Sequence, residues 1–368
     1  MLYPFIEIVT YYRKDLMMQP VQKIIFGSPG TGKSHMVKAE ILPSLGIDEE
    51  KNPENVIKAV FHPEYTYGDF MGKLLPITRA GQVEYNFYEG HFLKALSQAY
   101  KNIINFNLKP EGLQQPENVA LVIDEINRGN SSAIFGSVFQ LLDRKDSGWS
   151  SYDTSINGVA FFRLLELIGF TFSYDKNQEI DEYKLKGFDS AKKLETFQPK
   201  LAHLNFDLVN KTIKIPPNLH IIATMNTSDN SIYHMDTAFK RRWEWQFIDV
   251  NSNLISENGI AFKSENEWVV FIGKLNQFIK SKHNYIRGIE DKQIGKYFIK
   301  GVNNQISYTI IQSKLMFFIW DSVFSRDKKP LVELLYGKDN IELNKNKLVT
   351  FGDFALKVKE FIKAIQDN

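Results

Sequence analysis

The chain contains no cysteine, so disulfides, thiolate metal centres and cysteine nucleophiles are excluded outright. A reducing compartment suits such a composition, and a cytoplasmic location is the expectation. Nor does any stretch approach the roughly eighteen apolar residues that a membrane span needs. The first residues, MLYPFIEIVTYYRKD, place Glu7 early and hold no long apolar core of a leader peptide, so neither export nor membrane insertion is expected. Excess charge is scarce too: 45 Lys and Arg stand against 43 Asp and Glu, a net charge of +2, which signals no dedicated nucleic-acid surface. The HExxH pattern of a zinc hydrolase is missing, and there is no internal repeat or low-complexity block. What is left, 43% hydrophobic and 24% charged residues over 368 positions, can bury a large core and has room for two domains.

The most informative stretch present is QKIIFGSPGTGKSHMVKAEIL, Gln22 to Leu42. It carries G-x-x-x-x-G-K-[ST] as Gly27, Ser28, Pro29, Gly30, Thr31, Gly32, Lys33 and Ser34, after the apolar run Ile24-Ile25-Phe26 and before a helical segment that takes in His35. Strand, glycine loop and helix in that order form the context in which such a loop wraps a polyphosphate. Glycines let successive backbone N–H groups turn inward, and the helix adds its positive dipole end. Gly27 through His35 are therefore the candidate nucleotide-binding residues, with Lys33 on the β and γ phosphates and Ser34 on Mg²⁺.

Before this loop, Tyr3, Phe5, Ile8 and Tyr11 suit either a purine base or plain core. After it, 55–62 reads as a second parallel strand. Residues 73–88 read as an inserted β-hairpin around Arg79-Ala80-Gly81, either a substrate loop or a cover for a sheet edge. A helix is expected over 90–100. The apolar run Val119 to Ile123 ends in Asp124-Glu125, and ligand chemistry in open α/β sheets gathers at such carboxyl ends. Asp124 is the expected second anchor of the Mg²⁺ shell opposite Ser34, and Glu125 the group that polarises the attacking water. Ser132 to Asp143 follows as a helix with one apolar stripe. A fourth apolar strand, 219–225, runs into Asn226, whose amide can donate to a γ-phosphate and accept from the lytic water. A short helix over 231–240 then leads to Arg241-Arg242, guanidinium groups suited to a neighbouring subunit's γ-phosphate, with Arg128 a further residue facing that neighbour.

From about Ile24 to Phe298 these motifs resemble the AAA+ ATPases, and within them the McrB-like GTPase subunits of modification-dependent restriction systems. FGSPGTGKS resembles that family's Walker A segment, FHPEYTYGDFMGKLLP its FHxSYxYEDFxxGxxP box, and LVIDEINRGNSSAIFGSVFQLLD its Walker B segment and following helix. IIATMNTSDNSIYHMDTAFKRRWEW is similar to its TMNTADRS signature and arginine-finger segment, and DKQIGKYF to its IGHSYF lid motif. Departures are Asn230 where the family usually has arginine, a differently occupied lid segment at Lys296, and a long stretch from Ser147 to Ile215. No separate modified-cytosine reader is expected ahead of the glycine loop.

The expected architecture is α/β: a five-stranded parallel sheet flanked by helices over residues 1–250, with an insertion at 148–214, and a smaller helical lid over 251–368. Helices at 265–283, 312–324 and 354–366 point to the lid. Within the insertion, 161–172 reads as amphipathic and 175–182 as a polar loop, the whole serving partner or DNA contacts or a passive surface excursion. The resemblance implies hydrolysis of GTP or ATP with Mg²⁺, in a ring of identical subunits that is expected to be a hexamer. It further implies an McrC-like endonuclease as partner and DNA engaged through the complex. GTP is favoured over ATP, with base contacts expected from backbone groups near 7–12 and near Ile294-Gly295. The rival reading is a MoxR-like ATPase that remodels protein complexes, and a third is a nucleotide switch that assembles without mechanical work.

Overall fold

The computed structural model describes residues 19–108, 115–187, 190–227, 233, 235–250, 257–299, 301, 303–337 and 344–367. Five strands make the central parallel sheet: β1 (Gln22–Gly27), β2 (Val56–Val60), β3 (Val119–Asp124), β4 (Leu219–Asn226) and β5 (Glu244–Ile248), in the order β5-β1-β4-β3-β2. The α/β class and the flanked five-stranded sheet are thus as the sequence leads one to expect. Ile57 and Ile221 both lie level with Leu121, and Ile24 lies level with Trp245. β3 and β4 are buried almost throughout, which is why they read as unbroken apolar runs and not as alternating ones. Each fully buried Ile, Leu or Phe here contributes about 1.5–3 kcal/mol relative to exposure.

By their internal contacts the described residues group into two compact units, one lying within 1–22, 34–225 and 229–242, the other within 23–33, 226–228 and 243–368. In the first, the helix expected over 90–100 runs further, from His91 to Leu108. The expected hairpin is present as Gly72–Arg79 paired with Gln82–Glu89, its turn made by Ala80 and Gly81 at positive φ. The stretch expected as one helix over 132–143 is instead a helix Ser131–Phe135 followed by a 3₁₀ run Gly136–Leu142. Gly136 is the cause of the break. Its φ is +50°, and a Cβ there would lie 2.8 Å from the Tyr67 ring, so the chain turns where only glycine fits.

The insertion has more regular structure than expected. Gly158–Leu167 is helical, Gly169 reverses the chain at φ +101°, and Phe170–Tyr174 pairs with Ile180–Leu185. The polar loop expected over 175–182 is therefore confined to its first part. Asp175 Oδ1 accepts from the N–H groups of Asn177 and Glu179 to make the turn, while Tyr183 and Leu185 bury one face of the returning strand. Arg144 closes the module at its root, donating to the carbonyls of Gly148, Ile215, Pro216 and Leu219.

Beside it His220 is fully buried on β4. Its Nδ1 accepts from the Val21 N–H, and burial, aided by the Arg144 charge, pulls its pKa down to about 3. The unfolded chain takes up this proton near pH 6.5 and the native one does not. Stability is thus full above that value and is lost at about 1.4 kcal/mol per pH unit as the pH falls toward 3. In urea melts between pH 7 and 4, His220→Asn should show a slope shallower by about that amount; an unchanged slope would remove His220 from the acid response.

In the second unit the expected lid helix appears as Glu265–Ser281. The stretch expected over 312–324 is helical in two π-type segments, Ile311–Met316 and Ile319–Val323. The one expected over 354–366 is divided into Phe351–Ala355 and Val358–Asp367. A further helix, Lys329–Tyr336, went unexpected because its apolar face spans only about two turns. Among the described residues no helix is long and apolar enough to cross a membrane.

Candidate functional site

The glycine loop leaves β1 at a point that tolerates no side chain, since a Cβ on Gly27 would lie 2.3 Å from the Ile248 carbonyl oxygen. Gly30 and Gly32 sit at φ +80° and +83°, the left-handed region that lets the loop curl. Thr31 Oγ1 donates to the Ser28 carbonyl at 3.0 Å and pins the curl from within. Lys33 folds back over it, its Nζ donating to Ser28 O at 2.7 Å and to Gly27 O at 3.2 Å. The residue is 8% exposed, and its ammonium is held above the loop by the loop's own carbonyls. Pro29 is exposed, and so are Ser34 and His35 in the first turn of the helical run that begins at Lys33. Asn226 ends β4 half-buried, one residue before Thr227, whose N–H donates to Gly27 O at 3.3 Å. In this unit the amide-bearing strand end and the glycine loop are therefore tied together.

Within the other unit, Asp124 is the last residue of β3. Its Oδ1 accepts from Thr224 Oγ1 at 2.8 Å and from Ser34 Oγ at 3.4 Å. Thr224 in turn receives the Glu125 N–H at 3.4 Å, so one hydroxyl on the adjacent strand orients both members of the acidic pair. Sequence reasoning missed Thr224. The available signal was a hydroxyl within the otherwise apolar end of β4. Glu125 lies at φ +56°, ψ +46°, a left-handed conformation that costs a non-glycine residue on the order of 1 kcal/mol or more. The turn it makes is held by the Arg128 N–H donating to Glu125 O at 2.9 Å. Strain of this kind at the end of a core strand persists where the direction of a side chain matters.

The donor set suits Mg²⁺. A hydroxyl and a carboxylate oxygen 3.4 Å apart are the hard oxygen ligands that a small divalent cation accepts alongside phosphate and water. Ser34 and Asp124 would hold it, and Thr224 would keep the carboxylate turned toward it. Among the described residues no cluster of His, Asp and Glu offers a second metal centre.

The two adjacent arginines part company. Arg241, the last residue of helix Thr237–Arg241, is exposed, as is Arg128. Arg242 is turned inward with 8% of its side chain exposed and donates through Nε and Nη2 to Asp143 Oδ2 at 3.0 and 2.7 Å. The helix expected over 231–240 starts later, at Thr237, because Asp236 caps it by accepting the Phe239 N–H at 2.6 Å. Residues 233, 235 and 236 are not helical, and 231, 232 and 234 lie outside the described residues. Asp229 and Asn230 lie outside them as well, as do Tyr3, Phe5, Ile8, Tyr11 and the backbone over 7–12 expected to read the base. At the other expected base contact, Asn276 takes both the N–H and the carbonyl of Ile294, each at 2.8 Å.

Comparison with known proteins bears on the family and the fold. Residues 22–243, from the first residue of β1 to just beyond Arg242, match the model of the AAA domain (dynein-related subfamily). The chain is 27% identical over 361 residues to the type II restriction enzyme BsuMI component YdiS of Bacillus subtilis (strain 168), with 88% of each chain covered. It is 25% identical over 326 residues to the type IV methyl-directed restriction enzyme EcoKMcrB subunit of Escherichia coli (strain K12), covering 83% of this chain and 55% of that one. The similarity to these two restriction-enzyme components covers more of the chain than the nucleotide motifs do, and the family match itself spans over half the chain. The glycine loop, the strand order β5-β1-β4-β3-β2 and this match identify the chain as a member of the AAA family, in its dynein-related subfamily.

Proposed function

We propose that the chain is the nucleotide-hydrolysing motor subunit of a DNA restriction complex, working as a ring of identical subunits, hexameric by expectation, with a separate McrC-like endonuclease. The observation that carries the reading is the Ser34–Asp124–Thr224 cluster at the ends of β3 and β4, adjoining a strained Glu125. In this reading residues 1–250 are the large subdomain and 251–368 the lid.

Gly27 to His35 bind the nucleotide, and the phosphates replace the Gly27 and Ser28 carbonyls as partners of Lys33. Ser34 and Asp124 would hold Mg²⁺, which when bound would supply neutralisation of the phosphate charge. Glu125 orients and activates the attacking water, and the Asn226 amide fixes the water and the γ-phosphate without adding charge. Arg241 enters the site of the neighbouring subunit, where a guanidinium neutralises charge that develops on the transferred phosphoryl group. GTP is the preferred nucleotide. The glycine loop reads phosphates alone, so that preference arises at the purine edge.

DNA cleavage comes from the partner. The acidic pair at the strand end is committed to the nucleotide, the chain holds no cysteine, and its near-neutral charge gives little phosphate affinity of its own. The test is to purify the chain alone and together with the product of the adjacent gene. GTP and ATP hydrolysis are then measured with and without DNA, alongside DNA cutting. Hydrolysis by the chain alone that favours GTP, rises with the partner and becomes linked to cutting only in the mixture is expected. Metal-dependent cleavage by the isolated chain, abolished by a substitution outside the nucleotide site, would defeat the proposal, and a clear preference for ATP would defeat the choice of base.

A further inference from the structure

Helix Thr237–Arg241 is fastened at both ends to one segment, the residues that follow the acidic pair. At its start, Asp236 Oδ2 accepts from Ser132 Oγ at 2.5 Å while Oδ1 caps the helix. At its end, Arg242 is gripped three ways. Nε and Nη2 share Asp143 Oδ2, Nη1 donates back to the Ala238 carbonyl at 2.8 Å, and the guanidinium lies 4.1 Å over the Phe139 ring. Phe139 also stacks on Phe239 of the same helix, centroids 5.8 Å apart and planes within 7°. The backbone at this end is held as well, because Gln22 Nε2, at the start of β1, donates to Arg242 O at 2.6 Å and to Leu142 O at 2.9 Å.

Asp143 is a firm point from which to pull. Its carbonyl accepts the Ser151 N–H at 2.6 Å, and the next residue, Arg144, spans four backbone carbonyls at the root of the insertion. Successive residues of a helical turn point about 100° apart. Holding Arg242 inward on Asp143 and Phe139 therefore sends Arg241 outward, and the exposed Arg241 is the neighbour so directed.

We infer that Asp143 is a positioning residue for hydrolysis: through Arg242 it fixes the end of helix Thr237–Arg241 and so aims Arg241. Arg242 is then the anchor and not a second finger. The inference rests on the reading of Arg241 as the group that acts on the phosphates.

A double-mutant cycle on kcat tests it. Asp143→Asn keeps the shape and weakens the charge-assisted grip. It should lower kcat about 10-fold or more with KM changed less than about 3-fold, because nucleotide binding does not pass through this contact. In an Arg241→Ala background the same substitution should cost less than about 2-fold, since the residue it aims is already gone. Arg242→Lys, which keeps the charge and loses the forked geometry, should follow the same pattern and stands in if Asp143→Asn folds poorly. Losses that multiply in the double variants, or a parental kcat in Asp143→Asn, overturn the inference. An Arg241→Ala protein at the parental rate removes the reading beneath it. Mixing Arg241→Ala with Lys33→Ala subunits asks a separate question. Recovered hydrolysis places Arg241 across the subunit boundary, and no recovery in demonstrably mixed assemblies places it in cis; Asp143 aims it in either case.

Discussion

Glu125→Gln should bind nucleotide with an affinity close to that of the parent and hydrolyse it at least about 100-fold more slowly, a loss near 2.7 kcal/mol of transition-state stabilisation. The amide keeps the size and hydrogen-bonding outline of the carboxylate but cannot take up a proton or attract the developing positive charge on water. Local structure should survive the change. The Glu125 backbone is held by Thr224 on one side and Arg128 on the other, through main-chain groups that the substitution leaves in place. Titration with a fluorescent nucleotide and steady-state phosphate release read the two quantities separately. A variant that turns over at the parental rate takes Glu125 out of the chemistry.

Lys33→Ala fails at the earlier step. Its ammonium is the single side-chain cation folded over the carbonyls of Gly27 and Ser28 among the described contacts, and a charge-assisted hydrogen bond to phosphate contributes about 1.5–3 kcal/mol. Loss of the bonds to phosphate should therefore weaken nucleotide binding about 100-fold, and hydrolysis at subsaturating nucleotide should fall with it. The nucleotide-induced rise in melting temperature offers an independent check, because it depends on binding to the native state and not on turnover. The variant should show that rise only at nucleotide concentrations about 100-fold higher. If Lys33→Ala binds as the parent does and is merely slow, Lys33 belongs with the catalytic residues and not with the binding ones.

The elements easiest to read from the sequence were those whose causes are local. The glycine loop has fixed spacings and conformational demands that lie within eight residues, and β3 and β4 declare themselves as unbroken apolar runs because both their faces are covered. The hairpin at Gly72–Arg79 and Gln82–Glu89 was legible from its turn residues. Where local signals mislead, a contact from elsewhere is responsible. The apolar stripe over 132–143 suggests one helix, and the Tyr67 ring pressing on Gly136 divides it. Polar residues over 175–182 suggest a loop, yet pairing with Phe170–Tyr174 draws part of them into a strand.

The sequence by itself determined that this is a parallel α/β protein with a phosphate-type loop, an acidic pair at a strand end, and two arginines after an amide-ending strand. Tertiary structure alone decided which groups meet. Thr224 and Asp124 are 100 positions apart, and nothing in either local pattern says that one hydroxyl serves both acids. The same holds for the arginines, which have equal claims as letters in a row. Asp143 and Phe139, about a hundred residues upstream, take Arg242 inward and leave Arg241 at the surface. Periodicity and spacing report what a residue's near neighbours require. Hydrogen-bond partners and burial depend on strand order, and only the folded sheet brings those distant residues within reach of one another.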